Sequence, residues 1–326
     1  MIGDVDFVVT WVDGSDPRHE EKRLRFAPPT SSQPHAADAI APIRWQDNNE
    51  IGYLLRSVEK FAPWVRKIWI VTDSQRPQLD ISETLLSKIR FVDHTEIFEG
   101  YEDYLPTFNS ISIASMLWRI NGLAENYVYF NDDIFLTNAA SKSDFFTENG
   151  IMLRGKITGS MRTKLLSDVH QTNAMGLLSK SKGLRNAHVA IASKKSLLAD
   201  FFEARPQVLR DNISHRFRHH SQFSAFALSS CIASEKGIAY RKIYKDFSHV
   251  SAHIAQNGTA ADLTRSLANV DRPHVLLACI NDAATIASKG IDLADYMQNR
   301  ILTRKGRRGA IAGYLRHLPK FKVPIS

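Results

Sequence analysis

Asn131, Asp132 and Asp133 follow the apolar run 127-YVYF-130 and stand where a buried segment would enter a turn. Adjacent carboxylates oppose one another and need a cation, a proton or water as compensation. A hard divalent ion such as Mg2+ or Mn2+ supplies it and joins carboxylate oxygens to phosphates. Taken alone, an Asp-Asp pair is equally a solvated turn or a helix cap. Asp13, Asp16, Asp47, Asp73 and Asp93 also end or flank predicted elements, and several strand ends can converge on one crevice. Cations accompany these acids. Arg44 lies just before Asp47, while Arg162, Lys164, Arg216 and Arg218 gather around later polar segments. The planar guanidinium fork suits phosphate oxygens, although an isolated arginine is usually surface solvation. His188, His215 and His219 titrate in a range that allows proton transfer, with a structural or solvent-facing role as the ordinary alternative.

These residues need elements to position them. The strand pattern over 5–12 stops at the turn formers Asp13-Gly14-Ser15-Asp16-Pro17, and a charged helix-like stretch follows. Residues 27–42 are too rich in Ala, Pro and Ser for a core element and read as a loop, either beside the site or a passive insertion. Ile51, Leu54, Leu55, Val58 and Phe61 carry helical spacing, with Asp47 or Asn48 as cap and Pro63 as the stop. Residues 67–73 and 89–94 read as buried strands, Asn109 to Ile120 as a helix, and 127–135 as another strand. Such alternation predicts an α/β fold with a mostly parallel sheet that binds ligands beyond its carboxyl edge. Neither GxGxxG nor GxxxxGK[ST] occurs, so nucleotide binding would use neither glycine-rich device. From about 160 the patterns turn more helical, with candidates at Ser193 to Phe202, His219 to Ala233 and Thr259 to Val270. They predict a small helical lobe packed on the sheet.

A length of 326 residues allows one large core or two small ones, and 44% hydrophobic with 23% charged residues is ordinary for a folded soluble protein. The formal charge of +8 suits phosphorylated or polyanionic partners. Cys231 and Cys279 form no CxxC and are expected to be small buried hydrophobes rather than a disulfide framework or a structural zinc site. A signal-peptide pattern and a run long enough to cross a bilayer are both missing, so a cytoplasmic enzyme is expected. The segment 301–326 holds seven Lys/Arg and no acid. It could bind the inner membrane face or an anionic polymer, or it could be a solvated helix docked on the core. Nothing resembles a specific nucleic-acid reader, and oligomeric state is open.

Longer blocks carry a resemblance. The stretches 9-VTWVDGSDP-17, 47-DNNE-50, 56-RSVEKFAPWVRKIWIVTDSQ-75, 93-DHTEIF-98, 105-LPTFNS-110 and 127-YVYFNDDIFL-136 resemble the first two blocks of the Stealth family of hexose-1-phosphate transferases. That family includes bacterial capsular polysaccharide phosphotransferases and the catalytic subunit of lysosomal N-acetylglucosamine-1-phosphotransferase. Its third block is matched by 187-AHV-189 and 215-HRFRHHSQFSAF-226, except that Ala190 stands where the family has proline. Its fourth is similar to 276-LLACINDAAT-285, with Asn281 and Asp282 as the polar pair.

The resemblance implies a GT-A-like, Rossmann-type nucleotide-sugar transferase core with a Stealth-specific helical elaboration. Residues 1–160 would begin the core, 161–300 would supply the elaboration and complete the site, and 301–326 would be a basic tail. It also implies transfer of a sugar 1-phosphate, GlcNAc 1-phosphate first, from a UDP-sugar such as UDP-GlcNAc to a hydroxyl of a glycan or growing capsular polymer. By the same resemblance, Asp13, Gly14, Arg44, Asp47, Asn48 and Asp73 fall on the nucleotide side. Asp132 and Asp133, with Asp282, map to the Mg2+ or Mn2+ region. His188, or Asp16, would take or orient the acceptor proton, and Arg162 and Arg218 would clamp phosphate. Two alternatives are a metal-dependent glycosyltransferase that releases UDP and an inactive glycan-binding module.

Overall fold

Four parallel strands and one antiparallel strand form the central sheet of the computed structural model, which describes residues 1–29, 40, 45, 47–159, 165–180, 182–242, 245–303 and 322–324. In chain order the strands are β1 (Val5–Thr10), β2 (Ile68–Thr72), β3 (Ile89–Asp93), β4 (Asn126–Asn131), β5 (Ile134–Leu136), β6 (Ile151–Leu153), β7 (Gly155–Gly159), β8 (Lys182–Asn186), β9 (Ile191–Lys194), β10 (Ala239–Lys242), β11 (Phe247–Val250), β12 (Leu277–Ile280) and β13 (Lys322–Pro324). The central order is β3-β2-β1-β4-β9, antiparallel only between β4 and β9. Val5 to Val9 and all of β2 are buried. Strands covered on both faces read as continuous apolar runs rather than as alternation, which is why these two were legible.

This order places a crevice at one edge of the sheet. From β1 the chain moves outward through β2 and β3, then returns to place β4 on the other side of β1. The direction therefore reverses between β1 and β4, and such a switch point opens a crevice beyond the carboxyl ends of the strands. Thr10 pairs with Asn131, so both strands end at the same level. Tyr129 ties these ends together: its hydroxyl bonds Thr10 Oγ1 at 2.9 Å and donates to Asn131 Oδ1 at 2.6 Å.

The helix Glu50–Phe61 returns the chain from the carboxyl edge of β1 toward β2. It buries Ile51, Leu54, Leu55, Val58 and Phe61, the apolar stripe expected from the sequence. Its N-cap is Asn49, held in the left-handed region at φ 61°, rather than Asp47 or Asn48. The helix Ser110–Met116 also lies where one was expected and passes into a 3-10 turn.

After residue 160 strands accompany the expected helices. The helices Lys195–Glu203 and Ala260–Val270 follow the anticipated ranges, whereas Ala225–Glu235 begins six residues after His219. The intervening 219–224 stretch is spent on side-chain and turn hydrogen bonds, including His219 N to Gln222 Oε1 at 2.9 Å. Strand β9 completes the central sheet, β10 pairs with β6, and β11-β12-β5 form a second sheet. Pairing thus crosses residue 160 repeatedly. These strands have only three to five residues and mixed polarity, for example 182-KGLRN-186, so periodicity does not reveal them. Of the basic tail, Lys322–Pro324 adds antiparallel to β10, and 304–321 lies outside the described residues. Among the described residues no helix is long and apolar enough to cross a membrane.

Candidate active site

A cleft of about 1400 Å3 opens beyond the β1–β4 switch point. It is lined by Asn48, Asp73, Asp132, Asp133, His188, Arg218 and Asp282 among the site residues expected from sequence, by Asn281, named there only as the partner of Asp282, and by Glu50, Arg154 and His249, which were given no role. Arg44, Arg162 and Lys164 lie outside the described residues.

Asp132 and Asp133 occupy the turn between β4 and β5, which joins the central sheet to the second one. Burial, followed by the charges of Asp133, Glu50 and Asp47, holds Asp132 well above the usual carboxylate range. Burial also raises Asp133, against hydrogen bonds that favour its charged form. Asp47 is pushed up to about 6 by burial and the neighbouring Glu50 carboxylate. Four carboxylates thus share one electrostatic neighbourhood. Among the described residues, no Lys or Arg forms an ion pair with Asp132 or Asp133, and Asp133 Oδ1 is buried without a hydrogen-bond partner. Unpaired carboxylate oxygens crowded in this way fit a hard divalent cation, which would return the charge to both groups.

The second sheet brings up the other wall. Ile280 N donates to Asp133 O at 3.0 Å, docking the end of β12 against the turn. Asn281 Nδ2 then donates to Asp133 Oδ2, and Asn281 Oδ1 lies 2.6 Å from His249 Nε2. His249 is therefore linked to the carboxylate pair through one amide. The His188 ring stands 5.1 Å from that of His249, on the connection between β8 and β9. A tight turn with Val189 N donating to Ala187 O at 3.0 Å presents His188 outward, and Ala190 is buried behind it without a proline. Arg218 closes another side, donating from Nη2 to Ser110 Oγ at 2.6 Å.

The remaining expected residues hold the rim. Asp13 accepts from Ser15 N at 2.8 Å and Ser15 Oγ at 2.6 Å, which forms the turn after β1. Gly14 donates to Trp45 O at 3.0 Å, and an added Cβ would come within 2.2 Å of that oxygen. Only glycine allows this approach. Asp16 caps the helix Pro17–Phe26 by accepting from Arg18 N at 2.9 Å, and that bond, with one from Gln75, lowers its pKa. A carboxylate so engaged is a weak proton acceptor. Asn48 donates to both oxygens of Glu50, and Asp73 pairs with Lys22 at 2.5 Å. Asp282, expected as a metal ligand, caps the helix Ala283–Ser288 through Thr285 N at 3.2 Å and accepts from Gln256 at 3.1 Å. Its neighbour Asn281 is the residue that touches Asp133. Asn49, Ser74 and Asp282 all hold positive φ along this edge, and such strain collects where function over-determines the backbone.

His215 and His219 stack on each other with ring centroids 4.1 Å apart and share Ser221 Oγ, while Arg216 donates to Leu105 O at 3.0 Å. None of these three lines the cleft.

Stealth protein conserved region 1 matches residues 3–28, and conserved region 2 matches residues 44–154. The capsular polysaccharide phosphotransferase fcs1 of Haemophilus influenzae is 33% identical over 299 residues, covering 86% of this chain and 79% of that protein. The receptor polysaccharide phosphotransferase WefC of Streptococcus oralis is 43% identical over 148 residues, 45% of this chain and 42% of its own. The capsular polysaccharide phosphotransferase cps1A of Actinobacillus pleuropneumoniae is likewise 43% identical, over 39% of its length, so the chain spans only about two-fifths of these last two relatives. Among solved structures, the galactosyltransferase LgtC superposes with a TM-score of 0.41 at 14% identity, over 97% of this chain and 98% of that one. Strand order, not that superposition, defines the α/β architecture here.

Proposed function

Because this chain belongs to the Stealth family, we propose that it moves a hexose 1-phosphate from a UDP-sugar to a glycan hydroxyl in capsular or surface polysaccharide synthesis. The core is read as GT-A-like, with Mg2+ or Mn2+ held by Asp132 and Asp133 and with UDP-GlcNAc as the first donor to test. One observation carries this reading. Asp132 and Asp133, which form no ion pair among the described residues, line the same cleft as His188 and Arg218 at the sheet's switch point.

The bound cation would neutralise diphosphate charge and orient the donor. Asp132 and Asp133 present the oxygens for it, with Asn281 fixing the orientation of Asp133. Arg218, anchored on Ser110, balances the remaining phosphate charge. His188 takes the proton of the acceptor hydroxyl as that oxygen attacks the sugar-proximal phosphorus. The new P–O bond forms as the bond to the bridging oxygen breaks, and UMP leaves with the electron pair. Positioning and charge stabilisation suffice for such a step, and no covalent enzyme intermediate is needed.

For the basic segment 301–326 the proposal is contact with the inner membrane face, the alternative being a helix docked on the core, and salt-sensitive liposome binding that survives deletion of 301–326 would contradict it. The reaction itself is tested by incubating the protein with a UDP-sugar panel, acceptor oligosaccharides and Mg2+ or Mn2+, with products read by mass spectrometry. UMP and a phosphodiester-linked sugar are expected. UDP with a glycosidic product would replace phosphotransfer by glycosyl transfer, and absence of donor turnover would favour a glycan-binding module.

A further inference from the structure

His188, His249 and Cys279 come together from three separated parts of the chain. His249 on β11 and Cys279 on β12 are register partners, so their side chains leave the same face of the second sheet. His188 arrives from the β8–β9 connection, and one ligand atom from each of the three lies within 4.8 Å of the others. Tetrahedral zinc bonded to nitrogen at about 2.05 Å and sulfur at about 2.3 Å sets its ligand atoms about 3.4–3.6 Å apart. A side-chain movement of roughly 1 Å closes that difference, and the exposed His188 is placed to make it.

The surroundings also have the chemistry of a second coordination sphere. Asn281 Nδ2 donates to Asp133 Oδ2, which turns its Oδ1 toward His249 Nε2. His249 must then carry its proton on Nε2, leaving Nδ1 with the lone pair. Anchoring one imidazole nitrogen fixes which nitrogen is free to coordinate. The same amide lies 3.4 Å from Cys279 Sγ, whose thiol is otherwise held well above its ordinary range by burial and the Asp133 charge, so only a bound cation would bring it to the thiolate. Asp133 adds negative charge beside the cluster. Two imidazoles and a thiol select a thiophilic ion over Mg2+, whose partners are hard oxygens.

We propose that His188, His249 and Cys279 bind a thiophilic divalent cation, zinc being the reference ion, at a site distinct from the Asp132–Asp133 pair. The ion displaces the Cys279 proton to solvent and occupies the lone pair of His188. Its presence therefore blocks transfer, a consequence that rests on the proton-accepting role given to His188 above; the binding itself does not.

The test adds Co2+ to the metal-free full chain and follows its absorption. A thiolate-to-cobalt charge-transfer band with tetrahedral visible bands is expected. Cys279→Ser and Cys279→Ala should lose the charge-transfer band, and His249→Gln should weaken Co2+ binding at least about tenfold, with thermal melts confirming that each variant is folded. Asp132→Asn should keep the band. No band in the wild type, an undiminished band in both Cys279 variants, or its loss in Asp132→Asn would each overturn the site. Zn2+ added to turnover in excess Mg2+ should inhibit the wild type. A cobalt band combined with zinc-insensitive turnover would overturn the inhibitory role alone.

Discussion

Asp6 and the Asp132–Asp133 pair lie at opposite ends of one sheet and meet opposite fates. Asp6, near the start of β1, is wholly buried, yet it accepts from Arg66 Nε at 2.8 Å, Arg66 Nη2 at 2.5 Å, Trp69 Nε1 at 2.8 Å, Ala124 N at 2.9 Å and Lys67 N at 3.2 Å. Asp132 and Asp133, at the end of β4, are crowded by Glu50 and Asp47, and Asp133 Oδ1 has no hydrogen-bond donor among the described residues. A buried carboxylate surrounded by donors is a structural clamp. One surrounded by other carboxylates is destabilised by itself and improved by a cation. The carboxyl edge therefore concentrates unsatisfied charge that the amino edge has neutralised.

Mutation should separate the two ends cleanly. Asp6→Ala removes the carboxylate that pairs with Arg66 and accepts from the Trp69 indole, leaving Arg66 only the Gly122 carbonyl among the described residues, and should cost about 3–5 kcal/mol of stability, read as an early denaturant midpoint. Unchanged stability would show that Asp6 is not a clamp. Asp132→Asn and Asp133→Asn should instead lower donor turnover on the order of 10²–10³-fold, with melting temperature kept or raised because like charges are removed. Joint loss of fold and activity would erase the contrast between the ends. Asn281→Ala frees Asp133 and His249 from their shared amide and should weaken Mn2+ binding about 10- to 100-fold, as read by titration. Unaltered affinity would leave Asn281 as a packing residue.

The smallest effect is a pH dependence. Asp47 has a folded pKa near 6, raised above its ordinary value, so the folded state holds a proton that the unfolded state has lost. Without metal, its charging lowers stability progressively as pH rises from about 4 to about 6, and the deficit persists above that range. Histidines with depressed values, such as His219 near 4, act in the opposite direction over the same window. The effect must therefore be read as the difference between wild type and Asp47→Asn. The variant should melt roughly 2 °C higher at pH 7.5 and lose that advantage by pH 4. A constant difference across the range would remove the assigned carboxylate repulsion.

The sequence revealed the carboxyl edge better than its partners. Strands such as 68-IWIVT-72 are apolar throughout because the sheet is covered on both faces, and Asp132–Asp133 stand visibly at a strand end. Glu50 was within reach, since it closes the 47-DNNE-50 block. His249 was not, because 247-FSHV-250 carries no motif and reaches the cleft only through pairing with β12. Asp282 attracted attention as the acidic member of its pair, but its oxygens cap a helix while the neutral Asn281 faces Asp133. Charge in a sequence indicates which residues could bind a cation. Which ones are left without donors is set by long-range pairing.

Mn2+ titrated into the metal-free full chain, with the free ion followed by electron paramagnetic resonance, puts the central contrast to its most direct test. The wild type and a folded Asp6→Asn variant should both remove Mn2+ from solution, while Asp132→Asn and Asp133→Asn should not. Equal binding by all four proteins would contradict the assignment of the cation to the carboxyl edge of the sheet.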